Sequence, residues 1–349
     1  MKPLFRQWRP TTVIGIRIAV ALLVVACSPF GTIAEITVSP PAAYSGMCDA
    51  SAAAPLNDQL FAVASDEDSV LRIYRRDRSG APVQSINFSA FLDLDPKEPE
   101  SDIEGAARVG DRIYWITSHG RNKNGRERVS RERFFATQIV TNAEGLQLKM
   151  AGRAYEHLLS DLIRHPKLKA FKLAAASKLE PKARGALNIE GLCATGDGGL
   201  LIGFRNPIPR GQALIVPLLN PAEVVNGRAA NLGEPILLDL GGRGVRDMAY
   251  WEGKYIVIAG TYDGKGESGL YEWSGGTSSP RLVKHTHLKG LNPEAIIIYP
   301  DKGWEAYQLL SDDGRRLVSG RPCKELADPA QRQFCSVWIS REPKKTREE

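Results

Sequence analysis

The chain has 349 residues, of which 25% are charged and 43% hydrophobic, and a formal net charge of +6. That is an average globular composition with enough chain for a sizeable core in one large or two ordinary domains. The positive charge is no argument for a nucleic-acid partner. Lys2, Arg6, Arg9 and Arg17 all lie in a leader-like stretch without an acid before Glu35, and losing these four cations takes the net charge from +6 to +2.

The basic start is followed by the apolar run Ile18 to Ala26, about half the roughly 20 residues that span a bilayer. A basic segment and a short apolar one read as a secretory signal over residues 1–26. Two cleavage points compete. Val24-Val25-Ala26-Cys27 resembles a lipobox, with Cys27 carrying the lipid, and Thr32-Ile33-Ala34 has the small flanks of an ordinary signal cleavage. Either reading predicts an exported protein, in the periplasm or lipid-anchored to the bacterial envelope, with no membrane contact beyond that lipid.

Glu35 to Ser39 reads as an isolated strand, Ile-Thr-Val at its centre. After it a unit recurs: an acid opens a short apolar run, a turn follows, and a second apolar run ends on a small residue. The acids are Asp49, Glu104, Glu190, Asp247 and Glu294, separated by 55, 86, 57 and 47 residues. The second unit continues through Arg112 to Ser118, Arg133 to Val140 and Leu146 to Ala151. The fourth runs through Asp247 to Trp251, Lys254 to Gly260, Gly269 to Trp273 and Arg281 to His287. Four strands joined by turns, repeated at about 40–50 residues, predict the blades of an all-β propeller.

The 86-residue gap holds Tyr155 to Ser177, where Leu158, Leu159, Leu162 and Ile163 follow a helical period. A helical insertion there gives five blades over residues 35–341; a sixth blade in the gap is the rival reading. The last unit supplies only three strands, so Glu35 to Ser39 is expected to complete it and close the ring. The charged tail, 342–349, is expected to be disordered.

Leaving Cys27 aside, four cysteines remain. Cys323 and Cys335 flank the polar segment Lys324 to Phe334 and are expected to bridge it. Cys48 and Cys193 sit in apolar runs and read as buried thiols. No spacing suggests zinc.

In a propeller the start of each blade's first strand and the end of its second share one mouth. Asp49, Glu104, Glu190, Asp247 and Glu294 are therefore expected around one opening. Crowded carboxylates need a counter-charge, and Ca2+, which takes six to eight oxygen ligands, is the simplest cofactor to propose. The alternative is that each acid fastens neighbouring blades, through backbone donors or through Arg205 and Arg246. His119 is a candidate base or ligand, and Arg205 a candidate catalytic cation. Arg121, Arg246 and Asp312 are candidates for binding substrate, Arg121 within a basic loop that runs to Arg133. His285 and His287 read as surface residues. No P-loop, Gly-x-Ser-x-Gly or dinucleotide fingerprint occurs.

Several segments together resemble a bacterial family of exported proteins known only as a domain of unknown function. They are Gly46 to Ser51, Ser65 to Asp68, Asp102-Ile103-Glu104-Gly105, Ser118-His119-Gly120-Arg121, Asn188 to Leu192, Gly203 to Pro207, Arg246-Asp247-Met248 and Asn292 to Ala295. The resemblance spans roughly residues 44–315 and implies no activity. The Asp-x-Glu-Gly units are similar, more weakly, to phytase-like esterase propellers and metal-dependent lactonase propellers, which implies a site at the channel mouth. Two functions follow as expectations: a metal-dependent hydrolase of phosphate esters or other anionic small molecules, or a non-catalytic propeller that captures a small anionic ligand or a protein partner.

Overall fold

The structure is a computed structural model that describes residues 35–342, apart from residues 144, 285 and 287. The leader with Cys27, His285 and His287, and the tail after Glu342 lie outside the described residues. Alternating apolar residues between tight turns give five four-stranded antiparallel sheets around one axis. Blade 1 holds Ala52–Pro55, Leu60–Ala64, Val70–Arg75 and Gln84–Asn87. Blade 2 holds Ile103–Val109, Arg112–Thr117, Phe134–Asn142 and Gly145–Tyr155. Blade 3 holds Asn188–Ala194, Leu200–Asn206, Ala213–Leu218 and Ile236–Leu238. Blade 4 holds Gly244–Trp251, Lys254–Gly260, Gly269–Trp273 and Arg281–Leu282, so its last strand is shorter than the expected Arg281 to His287.

Blade 5 takes Pro293–Ile298, Ala306–Ser311 and Gln333–Glu342 from the C-terminal end. Its fourth strand is Glu35–Val38, in the register Glu35 with Glu342 to Val38 with Ile339. A second N-terminal strand, Ala42–Ser45, pairs with residues 333–336 of the same long strand. The ring therefore closes by sharing one blade between the two ends of the propeller sequence, as the isolated Ile-Thr-Val run led us to expect. Closure covers an edge that would otherwise offer unpaired backbone groups.

The core is divided among the seams. Each blade is sandwiched between two others, so both faces of its strands are apolar and are buried. Leu71, Ile73, Trp115 and Phe135 pack between blades 1 and 2. Leu201, Ile215, Val257 and Trp273 pack between blades 3 and 4. Ile258, Leu270, Ile296 and Ile339 fill the seam of blades 4 and 5. The closing seam, between blades 5 and 1, is aromatic, with Tyr44, Phe61, Tyr74, Tyr299 and Phe334. The insertion after blade 2 is helical, Leu158–Arg164, Pro166–Phe171 and Leu173–Ala176. Its Leu158, Leu162, Leu168 and Leu173 join Phe134 and Ile189 over the seam of blades 2 and 3. At the turn end of the innermost strands, Ala53, Ala106, Ala194 and Ala249 leave a channel cavity of about 310 Å³.

The expected bridge between Cys323 and Cys335 is not formed. Cys323 is bonded instead to Cys48, with a Cα–Cα distance of 5.9 Å, and Cys335 and Cys193 are buried free thiols. The polar segment is not a simple hairpin loop. Cys323 opens a short turn held by its N–H on Arg316 O at 2.8 Å, with Leu326 packed beside the two bonded cysteines. Cys335 lies in the long strand, where its N–H donates to Asp313 Oδ2 at 2.8 Å and its sulfur accepts from Arg316 Nη1 at 2.7 Å.

The bridge closes a loop of 275 residues and ties the start of blade 1 to blade 5. Chain-entropy arguments value so long a link at about 5–6 kcal/mol. Converting Cys48 and Cys323 to Ser is expected to lower the free energy of unfolding by that amount in urea melts, while Cys335→Ser leaves the bridge intact. Non-reducing peptide mapping checks the pairing.

Candidate functional site at the channel mouth

The side chains at the mouth are set by register. In blades 2 to 5 the first strand carries one residue more than its partner at the same point. Pairing runs from Ile103–Thr117 to Gly105–Ile116, which leaves Glu104 out of the ladder. Glu190, Arg246 and Glu294 are left out in the same way. Such a bulge re-aims a side chain at a strand end. In blade 1 the first regular pair is Ala52–Ala64, and Ser51 stands just before it. Its hydroxyl donates to Ile103 O of blade 2 at 2.5 Å.

The equivalent position in blade 4 is therefore Arg246 and not Asp247. Asp247 pairs in register with Ile258 and faces away from the mouth. Its Oδ2 accepts the N–H of Ile296 in blade 5 at 2.7 Å, and its buried Oδ1 has no partner among the described residues. Burial pushes its pKa well up. The structure separates Asp247 from the other four marker acids and makes it a fastener between blades.

The mouth divides into two arcs. In the first, Arg205 and Arg246 meet Glu190 and Glu294. Arg205 bonds Glu190, and its Nε donates to Thr261 O at 3.0 Å. Arg246 reaches both ways, to Glu190 at 3.3 Å and to Glu294. Its Nη1 donates to Asn292 Oδ1 at 2.5 Å, and Asn188 donates to Glu190 at 2.8 Å. All four charged groups are buried. A buried pair that is hydrogen-bonded on both sides is costly to break from one side. Here Glu190 and Glu294 have their counter-charges built in.

The second arc has too few cations. Asp49, Asp66 and Glu67 place one oxygen each within 4.8 Å of one another, and so do Asp66, Asp102 and Glu104. Asp66 belongs to both groups. Glu67 pairs with Lys324 at 2.7 Å and Asp102 with Arg131 at 2.9 Å. Neither Asp66 nor Glu104 has a hydrogen bond or ion pair from its carboxylate among the described residues, and Asp66 Oδ1 is buried. Burial and then neighbouring acids raise the pKa of both well above the usual range. Asp102 is raised to about 6, by burial, against the pull of Arg131. Asp49 is raised to about 9, first by burial and then by its hydrogen bond to Asp312. Asp312 is lowered, because Asp49, Gly314 N–H and Arg246 favour its charged form over the opposing effect of burial. Asp49 thus holds the proton of that pair.

Asp66, Glu67 and Asp102 were not among the residues singled out from sequence as metal ligands. Asp66 and Glu67 follow the second strand of blade 1, at the position predicted to share the mouth, so the signal was present. Asp102 sits at φ 59° and His119 at φ 52°, both in the left-handed region, at the open end of blade 2's first hairpin. Non-glycine residues held there cost on the order of 1 kcal/mol and cluster at functional sites. Ser118 N–H on Asp102 O at 2.9 Å and His119 N–H on Arg131 O at 2.9 Å hold them.

His119 is buried, with Nδ1 2.8 Å from Thr117 O and Nε2 unpartnered among the described residues. Burial lowers its pKa to about 4, so it is neutral at neutral pH. The basic loop is tied down. Arg121 donates to Ser177 O at 2.9 Å and Gly125 O at 3.0 Å, Arg128 pairs with Glu98, and Arg133 donates to Leu92 O at 2.9 Å. Arg121 is thereby anchored to the helical insertion, whereas Arg246 and Asp312 lie in the mouth.

Residues 49–141 and 136–296 match the family described as "Protein of unknown function (DUF3616)". The chain belongs to this family. No curated protein matches it. Among solved structures, glutaminyl cyclase from Myxococcus xanthus aligns at 11% identity and a TM-score of 0.45 over 88% of this chain and 97% of that one. A putative oxidoreductase (glucose dehydrogenase) from Thermus thermophilus aligns at 14% identity and 0.42, over 87% and 100%. A GH43 protein from Bacillus licheniformis aligns at 10% and 0.45, over 86% and 57%. At that similarity the DUF3616 chain takes no chemistry from them.

The raised acids give a pH signature. A carboxyl whose folded pKa exceeds its unfolded value binds more protons when folded, so stability falls as pH rises between the two values. For Asp49 that window runs from about 4 to about 9. In chelator, Asp49→Asn is expected to gain on the wild type by up to about 1.4 kcal/mol per pH unit between about pH 5 and 8. Urea midpoints measure it. A difference that does not change with pH would refute the protonated Asp49.

Proposed function

We propose that the mouth binds a divalent cation, Ca2+ first among them, at Asp66 with Asp49, Glu67, Asp102 and Glu104, and that the protein is a metal-dependent hydrolase of small anionic substrates such as phosphate esters. One observation carries the reading: Asp66 is shared by two groups of three carboxylates, and its buried oxygen has no partner. An unpaired buried charge is expensive, and a hard cation with oxygen ligands removes the cost. A bound cation would also polarise a phosphoryl or carbonyl oxygen.

Export belongs to the same proposal. The basic and then apolar N-terminal sequence supports it, as does a disulfide of the kind that persists in oxidising compartments. The second reading is a non-catalytic ligand-binding propeller. The depressed pKa of His119 favours it, since a general base works best near the operating pH.

Ca2+ is expected to stabilise the protein by about 2.7 kcal/mol at a concentration a hundredfold above its Kd. Asp66→Asn and Glu104→Gln abolish that gain, while Asp247→Asn keeps it. Thermal melts with Ca2+ and with chelator measure both. Hydrolysis in a screen of phosphate esters that stops in chelator supports the enzyme, and binding without turnover the second reading. Melts that respond neither to chelator nor to Ca2+ would overturn the metal site.

A further inference from the structure

An insertion in blade 5 reaches across the closing seam to the acidic arc. Residues 312–332 join the second strand of that blade, Ala306–Ser311, to its third, Gln333–Glu342. The insertion is tied to the start of blade 1. Asp312 forms a backbone bridge with Asp49, Asp313 N–H donates to Cys48 O at 2.9 Å, and Cys323 is bonded to Cys48. The disulfide therefore joins the chain neighbour of Asp49 to the chain neighbour of Lys324. Lys324 N–H donates to Gly314 O at 3.2 Å, and Gly314 N–H to Asp312 Oδ1 at 2.9 Å, so the backbone that carries the lysine is fixed.

From that anchor the Lys324 ammonium meets Glu67 Oε1 at 2.7 Å. Glu67 is placed in turn by its N–H on Ser65 Oγ at 3.2 Å. One of its carboxylate oxygens lies within 4.8 Å of an oxygen of Asp49 and an oxygen of Asp66. The ammonium is thus in direct contact with one of the three carboxylates of that group.

The two cations of the arc differ in how firmly they are held. Arg131 is 14% exposed and pairs with both Glu100 and Asp102. Lys324 and Glu67 are 41% and 46% exposed. An ion pair that wet is weak by itself and opens at little cost. The disulfide nevertheless keeps the ammonium beside the arc at a high effective concentration.

We propose that Lys324 is the resident cation of the acidic arc, that it releases Glu67 when a metal ion binds, and that it thereby selects a divalent cation over a monovalent one. A monovalent ion brings no more charge than the ammonium it would displace, and it lacks the tether. A divalent ion brings twice the charge to the same oxygens, and Ca2+ takes several of them at once. This role presupposes the cation site proposed for the mouth.

The test is calorimetric titration of the disulfide-bonded protein with Ca2+, in about 150 mM NaCl and in about 150 mM choline chloride, whose bulky cation cannot share carboxylate oxygens. The proteins are wild type, Lys324→Ala, Lys324→Arg, and Lys254→Ala from the opposite end of the channel. In choline chloride Lys324→Ala is expected to bind Ca2+ about tenfold tighter than wild type. Lys324→Arg, which keeps the charge, and Lys254→Ala are expected to stay within about threefold of wild type. Replacing choline by Na+ is expected to remove most of the gain of Lys324→Ala and to change wild type by no more than about twofold. A Lys324→Ala affinity within about twofold of wild type in choline chloride overturns the resident cation. Na+ that weakens Lys324→Ala no more than it weakens wild type overturns the selection. Ca2+ uptake by Lys324→Ala but not by wild type supports the resident cation. If neither protein takes up Ca2+ at about 10 mM, the metal site itself falls and the role of Lys324 with it.

Discussion

A strand with one residue more than its partner must bulge, and four of the five blades carry that extra residue at the same point of their innermost strand. The bulge takes one side chain out of the ladder beside the channel mouth. That residue belongs to neither packed face of the blade. Glu104, Glu190, Arg246 and Glu294 can therefore differ in charge on a repeated backbone. Blade 1 has no such bulge, and Ser51 there bonds blade 2 instead.

Placing an arginine in one of these positions divides the mouth. Arg246 sits between Glu190 and Glu294 and bonds both, with Arg205 adding a second cation from the neighbouring strand. Glu104 has no such neighbour. It faces Asp66 and Asp102, and among the described residues Arg131 and Lys324 are the cations paired at the edges of that group. The difference between the arcs is how many guanidiniums lie within bonding distance: two serve Glu190 and Glu294, and one serves Asp102. The arc with fewer cations is left either to hold protons, as Asp49 does against Asp312, or to take a metal cation.

The propeller itself was legible in the sequence. Turn residues at regular intervals, strand-length apolar runs and an orphan Ile-Thr-Val strand are local signals, and the closed ring follows from them because each blade needs two neighbours to bury both faces. The insertion was legible for the same reason: Leu158, Leu159, Leu162 and Ile163 follow a helical period and not a strand's alternation. The site was legible only in part. Arg246 and Asp247 are adjacent, and a bulge of one residue decides which of them points into the mouth. The motif points to the acid because the other units carry acids there, but register is a property of the strand pair and not of the motif. The same limit applied to the cysteines. Cys323 and Cys335 are close in sequence, but a residue's direction in the long strand and the turn at Cys323 decide what each sulfur meets. Asp66 lies outside the repeated motif, just after a second strand, although second strands end at the same mouth.

The two arcs meet at the seam where the ring closes. Asp49 follows the bridged Cys48, and Asp312, Asp313 and Arg315 lie in the turn whose backbone bonds Cys48 O. The strand shared by the two ends of the propeller runs past the same turn, with Cys335 N–H on Asp313. At this seam the first arc ends on blade 5 and the second begins on blade 1, and closure sets their relative position. A ligand that bridges the arcs would then hold blades 5 and 1 together, in parallel with the disulfide. Reduction of Cys48–Cys323 would leave that ligand, the shared blade and the aromatic seam of Tyr44, Tyr74 and Phe334 as the remaining ties across the closing seam.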